Sequence, residues 1–189
     1  MVRDSKSDKA VIKEIHLNTL LNETPGITRS VGETFAEAAA VCLEDQRHRS
    51  GTAMNVDGDF SEVFAIGWDE TTDQMRRAWA DLQFATEIGS YGVAVLLVHE
   101  LTELTVVERA RKGTGFDFWL GDKDDSGRLF QGKGRLEVSG ILSGEETILR
   151  SRVRQKLEQT NRSDGKLPAL IIVVEFSMPR SRVVNKWKK

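Results

Sequence analysis

Residues 113–121 read GTGFDFWLG and residues 135–140 read RLEVSG, and each apolar run holds one acid, Asp117 in the first and Glu137 in the second. Asp117 alternates with Phe116 and Phe118, and Glu137 lies between Leu136 and Val138. On a strand, each carboxylate therefore points away from its apolar neighbours. An acid so placed on a half-exposed antiparallel strand ordinarily faces water. Two of them on adjacent strands have a second reading: converging carboxylates repel unless a cation lies between them, and hard cations such as Mg²⁺ take carboxylate oxygens. The flanking elements decide between the two.

Upstream, Met75, Ala78, Trp79, Leu82 and Ala85 recur at helical spacing between Thr71 and Ile88, with Thr71 and Gln74 placed as a capping box. Gly89, Ser90, Tyr91 and Gly92 interrupt that helix. The apolar run Val93–Val98 then reads either as a buried strand, which its valines favour, or as the same helix resumed after a kink. LTVVERARKG has the alternation of a strand, and the segments around Asp117 and Glu137 make two more. Ser143 with Glu146 marks a helix start, and Ile148 or Leu149, Val153 and Leu157 supply its apolar stripe. After a turn-rich break at 161–168, PALIIVVEFS is a β-branched run of the kind buried on both faces of a sheet.

The order is thus helix, three strands, helix, strand, an α/β arrangement. With an acid in its second strand and Glu137 in its third, this αβββαβ core resembles the PD-(D/E)XK nuclease superfamily, the restriction-endonuclease-like fold, over residues 69–178. The resemblance implies a Mg²⁺- or Mn²⁺-dependent endonuclease or exonuclease acting on DNA, a hydrolase of restriction, repair or antiviral, mobile-element defence, with specificity from a protein partner. It assigns Asp117 and Glu137 to the metal, with Glu87 or Glu100 as a third acid from the first helix. One position departs from the pattern. Where the superfamily has Lys two residues after the strand Glu, this chain has Ser139, which carries no charge to activate water or to stabilise a phosphorane. Lys156 on the following helix is the best substitute. Lys133 and Arg135 are weaker ones, Arg135 being better suited to holding phosphate because it does not release its proton. Gln155 reads chiefly as a helix former on the surface. The alternative reading is the same fold with a decayed site, serving as a nucleic-acid-binding or assembly module. A third is an α+β scaffold that uses no metal.

Charge is distributed unevenly. The net charge is −2, yet residues 147–189 hold eleven Lys and Arg against three acids, and residues 1–146 hold sixteen against twenty-six. Arg150, Arg152 and Arg154 on the helix, with Arg180, Arg182, Lys186, Lys188 and Lys189 after the last strand, suit phosphate contacts, with Arg150, Arg154, Arg180 and Arg182 the candidates singled out. The alternative is a solvated helix face followed by a basic tail at 179–189.

The remaining features narrow the class. A chain of 189 residues with 39% hydrophobic content has enough apolar material for a single core. It has no apolar run of 18 residues and no secretory leader, which points to a cytoplasmic protein off the membrane, with a homo-oligomer left open. The lone Cys42 cannot form an internal disulfide. The three histidines are too scattered for zinc, and no Walker A, dinucleotide-binding or GxSxG signature occurs. Asp122, Asp124, Asp125, Ser126 and Gly127 begin like a calcium loop, but the twelfth position is Lys133, so a hairpin turn is expected. Trp79 reads as core, and Trp119 reads as either core or a neighbour of the metal site. Residues 1–68 read as a partly helical extension: a helix over SKSDKAVIKEIHLNTLLNE, a second over EAAAVCLEDQRH, and a strand in GDFSEVFAIGW able to join a sheet edge.

Overall fold

All seven residues of the β-branched run Ala169–Glu175 are buried, because this strand lies inside a sheet covered on both faces. The computed structural model describes residues 12–123, 133–161 and 167–187. Its strands are β1 (Lys13–His16), β2 (Thr52–Gly58), β3 (Glu62–Gly67), β4 (Leu104–Arg109), β5 (Phe118–Asp122), β6 (Gly134–Ile141), β7 (Ala169–Glu175) and β8 (Arg180–Asn185). They form one mixed sheet in the order β1-β3-β2-β8-β7-β6-β5-β4. The helices are α1 (Arg29–Asp45), α2 (Asp73–Ala78), α3 (Leu82–Leu101) and α4 (Glu146–Asn161). The fold is therefore mixed α/β, and α3, β4, β5, β6, α4 and β7 follow in the expected sequence order. No helix among the described residues is long and apolar enough to cross a membrane.

Alternation along β6 and β7 divides the core in two. Leu136, Val138, Leu170, Ile172 and Val174 face α1 and α3, and Ile141, Ala169, Ile171 and Val173 face Leu149 and Val153 of α4. Leu149 thus fills the core position of the α4 stripe, while Ile148 is left 47% exposed.

Several sequence expectations are corrected. For Val93–Val98, where the sequence leaves buried strand and resumed helix both open, the structure has helix. α3 is buried continuously from Gly89 to Val98 because it packs against both α1 and the sheet, and a helix covered all round shows no amphipathic pattern. The glycines that look like a break are contact points. A Cβ on Gly89 would stand 2.7 Å from the backbone nitrogen of Ala39 in α1. Gly89→Ala should therefore destabilise the protein by about 2 kcal/mol in denaturant titration, although helix propensity alone predicts a gain of about 1 kcal/mol.

The helix expected from Thr71 is in fact two. Thr72, not Thr71, caps α2 by accepting from Met75 N at 3.1 Å, and Asp81 caps α3 by accepting from Gln83 N and Phe84 N at 3.0 and 3.1 Å. Thr71 instead donates its backbone N–H and its hydroxyl to Glu44.

The domain boundaries also change. Residues 12–68 are no appendage: β1, β2 and β3 are strands of the same sheet, and α1 packs on α3. The expected first helix is β1 over Lys13–His16 followed by a 3₁₀ turn at Leu17–Leu21, and its beginning lies outside the described residues. The second expected helix is α1, and GDFSEVFAIGW supplies β3, which lies between β1 and β2 rather than at an edge. Residues 180–185, read as the start of a tail, are β8, hydrogen-bonded between β2 and β7.

Candidate functional site

β5 and β6 pair over only three positions, ending at Phe118↔Leu136, which leaves Asp117 next in line opposite Glu137. Asp117 precedes β5 by one residue, and its N–H still donates to Leu136 O at 2.9 Å. With no β5 carbonyl to continue the ladder, Val138 N–H donates to Asp117 Oδ2 at 2.8 Å. Short strand pairing is what turns this acid into the site.

From there the polar contacts run to both helices. Tyr91 OH on α3 lies 3.2 Å from Asp117 Oδ1 and 3.2 Å from Glu87 Oε1. One hydroxyl proton serves the two acids in turn. Glu137 is 1% exposed, and its Oε1 accepts from Lys156 Nζ on α4 at 2.5 Å. Its other oxygen, Oε2, is buried with no hydrogen-bond partner. These groups border one cleft of about 1450 Å³, whose walls also hold Arg109, Lys112 and Arg152.

Burial, and then the charge of Asp117, push the Glu137 carboxyl up to about 7, against the opposing pull of Lys156. Burial also raises Asp117, and the Val138 N–H, Lys156, Tyr91 and Arg109 only partly offset it. The Tyr91 hydroxyl is raised by burial and then by the charges of Asp117 and Glu87. Two desolvated acids thus lean on one lysine, and one oxygen of Glu137 is buried without a hydrogen-bond partner among the described residues. This donor set suits a divalent cation. Among the described residues no group of three His, Cys, Asp or Glu is placed to hold a metal ion.

Of the two candidates for the helix acid, Glu87 borders the cleft and Glu100 does not. Glu100 lies thirteen residues further along α3, about 20 Å at helical rise, and pairs with Lys13.

Lys156 reaches the site through a stripe that the sequence reading missed. Ile148, Arg152, Gln155, Lys156 and Gln159 border the cleft at helical spacing, beside the buried stripe of Leu149, Val153 and Leu157. Gln155 is exposed, as expected of a surface helix former, and also borders the cleft. Arg150 and Arg154 are exposed on α4 outside it, and Arg150 pairs with Glu146.

The other proposed phosphate ligands are corrected. Arg180 pairs with Glu146 and Glu175, and Arg182 forms two hydrogen bonds with Asp57, at 2.5 and 2.8 Å, and a third with Glu146 at 2.8 Å. Both are mostly buried along β8, joining it to β2 and α4. Arg182→Ala should cost about 2 kcal/mol of stability in thermal or chemical unfolding and leave polyanion affinity per folded molecule unchanged.

Arg135 is fully buried and donates to Leu167 O at 2.9 and 2.6 Å, so it is structural. Lys133 pairs with Asp122 outside the cleft. The rest of the acidic turn lies outside the described residues. Trp119 packs edge-on against Phe116 with ring centroids 4.6 Å apart, and Trp79 is core, its indole donating to Glu37. Comparisons with protein-family models, curated proteins and solved structures return no match.

Proposed function

We propose that the chain is a Mg²⁺- or Mn²⁺-dependent nuclease acting on DNA, with a restriction-endonuclease-like αβββαβ core. The observation that carries this reading is the facing pair of half-buried Asp117 and buried Glu137, with Glu137 Oε2 left without a partner among the described residues, at the border of an open cleft that has cationic walls. Asp117 and Glu137 would hold the cation, with Glu87 at its edge. When bound, the ion lowers the pKa of a water and polarises a phosphoryl oxygen. Lys156 pulls Glu137 toward its ionised form, partly offsetting desolvation, and would present its ammonium beside the place where water would be activated. Arg109 and Lys112 line the route of a polyanion into the cleft, and Arg150 and Arg154 extend positive charge along α4.

A second reading has one observation in its favour. Lys156 already neutralises Glu137 directly, and Ser139 brings no charge, so the same fold would persist as a nucleic-acid-binding subunit without cleavage. Incubation of single- and double-stranded DNA and RNA with Mg²⁺ or Mn²⁺ separates the two. The nuclease reading expects metal-dependent cutting of DNA that stops on chelation. Binding without cutting under every metal and substrate selects the other.

A further inference from the structure

Arg152 has no carboxylate partner among the described residues, although it is half-buried in the wall of the cleft that Asp117 and Glu137 also border. Its one bonded amino nitrogen, Nη1, donates to Ser139 Oγ at 2.9 Å and to Gly140 O at 3.4 Å. A half-buried guanidinium usually gains a carboxylate to offset its desolvation. Here Ser139 and Gly140 hold the side chain against β6, two residues beyond Glu137 on the same strand face. Nε and Nη2 make no hydrogen bond within the described residues, and the residue lines the cleft one helical turn before Lys156.

We propose that Arg152 is a catalytic residue that receives a non-bridging oxygen of the phosphodiester undergoing hydrolysis, and that Ser139 is its positioning residue. This deepens the nuclease reading and rests on it. As water oxygen forms the new bond to phosphorus, the bond to the leaving sugar oxygen breaks. The water gives up one proton to solvent, the leaving oxygen takes one up, and negative charge grows on the non-bridging oxygens in between. Planar N–H donors aimed at those oxygens stabilise that charge more than the ground state. Serine at position 139 then has a physical reason: a lysine there would compete with the guanidinium for the same space and the same anion. The division of labour follows, with Lys156 serving Glu137 and Arg152 serving the phosphoryl group.

The test uses the full chain and four proteins: wild type, Arg152→Ala, Arg152→Lys, and the double variant Ser139→Lys with Arg152→Ala, which moves the positive charge from helix to strand. Cleavage of a DNA oligonucleotide under single turnover should fall about 100-fold or more in Arg152→Ala, with KM changed less than about threefold. Arg152→Lys should keep the fold and lose part of the rate. The double variant should regain at least about tenfold over Arg152→Ala, because a charge is restored near the same oxygen. A purely structural role for Arg152, tying α4 to β6, predicts no such recovery. Wild-type rate in a folded Arg152→Ala protein, or a double variant as slow as the single one, overturns the assignment while the nuclease reading stands. If the wild type cuts nothing, the nuclease reading fails. With no cleavage there is no transition state for Arg152 to serve, so that outcome overturns the assignment of Arg152 as well.

Discussion

Replacing Asp117 by Asn should abolish metal-dependent cleavage, with kcat falling on the order of a thousand-fold, the size of effect expected when a site loses a group that it uses only in the transition state. The substitution keeps the shape, and its amide oxygen still accepts from Val138 N–H, now 2.8 Å from Asp117 Oδ2. What it removes is charge. Asp117 is desolvated and raised, so the neutral amide relieves repulsion with Glu137, and the metal-free protein should be at least as stable as wild type. Circular dichroism and thermal unfolding check that half, and a cleavage assay across Mg²⁺ concentrations checks the other. Saturating metal should not restore the rate, because the lost ligand lowers both affinity and orientation. A destabilised, aggregating Asp117→Asn protein would instead make the carboxylate a structural plug for the gap between β5 and β6.

The site was more legible than its supports. Asp117 and Glu137 stand out because an acid inside an apolar alternation has few reasons to be there; strand period points each away from its apolar neighbours, and the register Phe118↔Leu136 sets the two opposite each other. Lys156 followed from the need for a cation near Ser139. Glu87 and Glu100 could not be separated without knowing that α3 continues through Val93–Val98, and that continuation is hidden because a helix buried on all sides has no period to read. Gly89 and Gly92 signal a break locally and close helix contact globally, and only the partner helix distinguishes the two. Arg180 and Arg182 failed for a related reason. Their ion-pair partners Glu146, Glu175 and Asp57 are mostly distant in sequence, so a structural network looked like a basic tail. Arg152 reads in the sequence only as one of three helix arginines at alternate positions, all suited to phosphate. Only the helical stripe with Gln155 and Lys156 separates it from Arg150 and Arg154.

Glu137→Gln should reverse how pH and metal act on stability. In the folded protein without metal, Glu137 ionises near pH 7, whereas its ordinary value is 4.5. The folded state therefore holds the proton more tightly than the unfolded chain between those values. The stability this confers is complete below about pH 4.5 and is lost as pH rises through about 7. Asp117 is shifted in the same direction and adds to the decline. In chelator, wild-type stability should fall by as much as about 3 kcal/mol across this window, and Glu137→Gln should remove most of that fall. Above pH 7 the ionised carboxylate is what a cation binds, so Mg²⁺ should raise the wild-type unfolding temperature most at alkaline pH. A concentration of about 100 times Kd supplies about 2.7 kcal/mol, several degrees for a chain of this size. Glu137→Gln should not respond, since an amide offers the ion neither charge nor a displaceable proton. Thermal scans of both proteins with and without Mg²⁺, at acid and alkaline pH, decide the matter. An equal metal shift in the two proteins would remove Glu137 from the coordination sphere. A wild type whose stability stays level from pH 5 to 7 in chelator and falls only below about pH 4.5 would mean that Lys156, not burial, governs this carboxylate, and the orphaned oxygen would lose its meaning as a place for a cation.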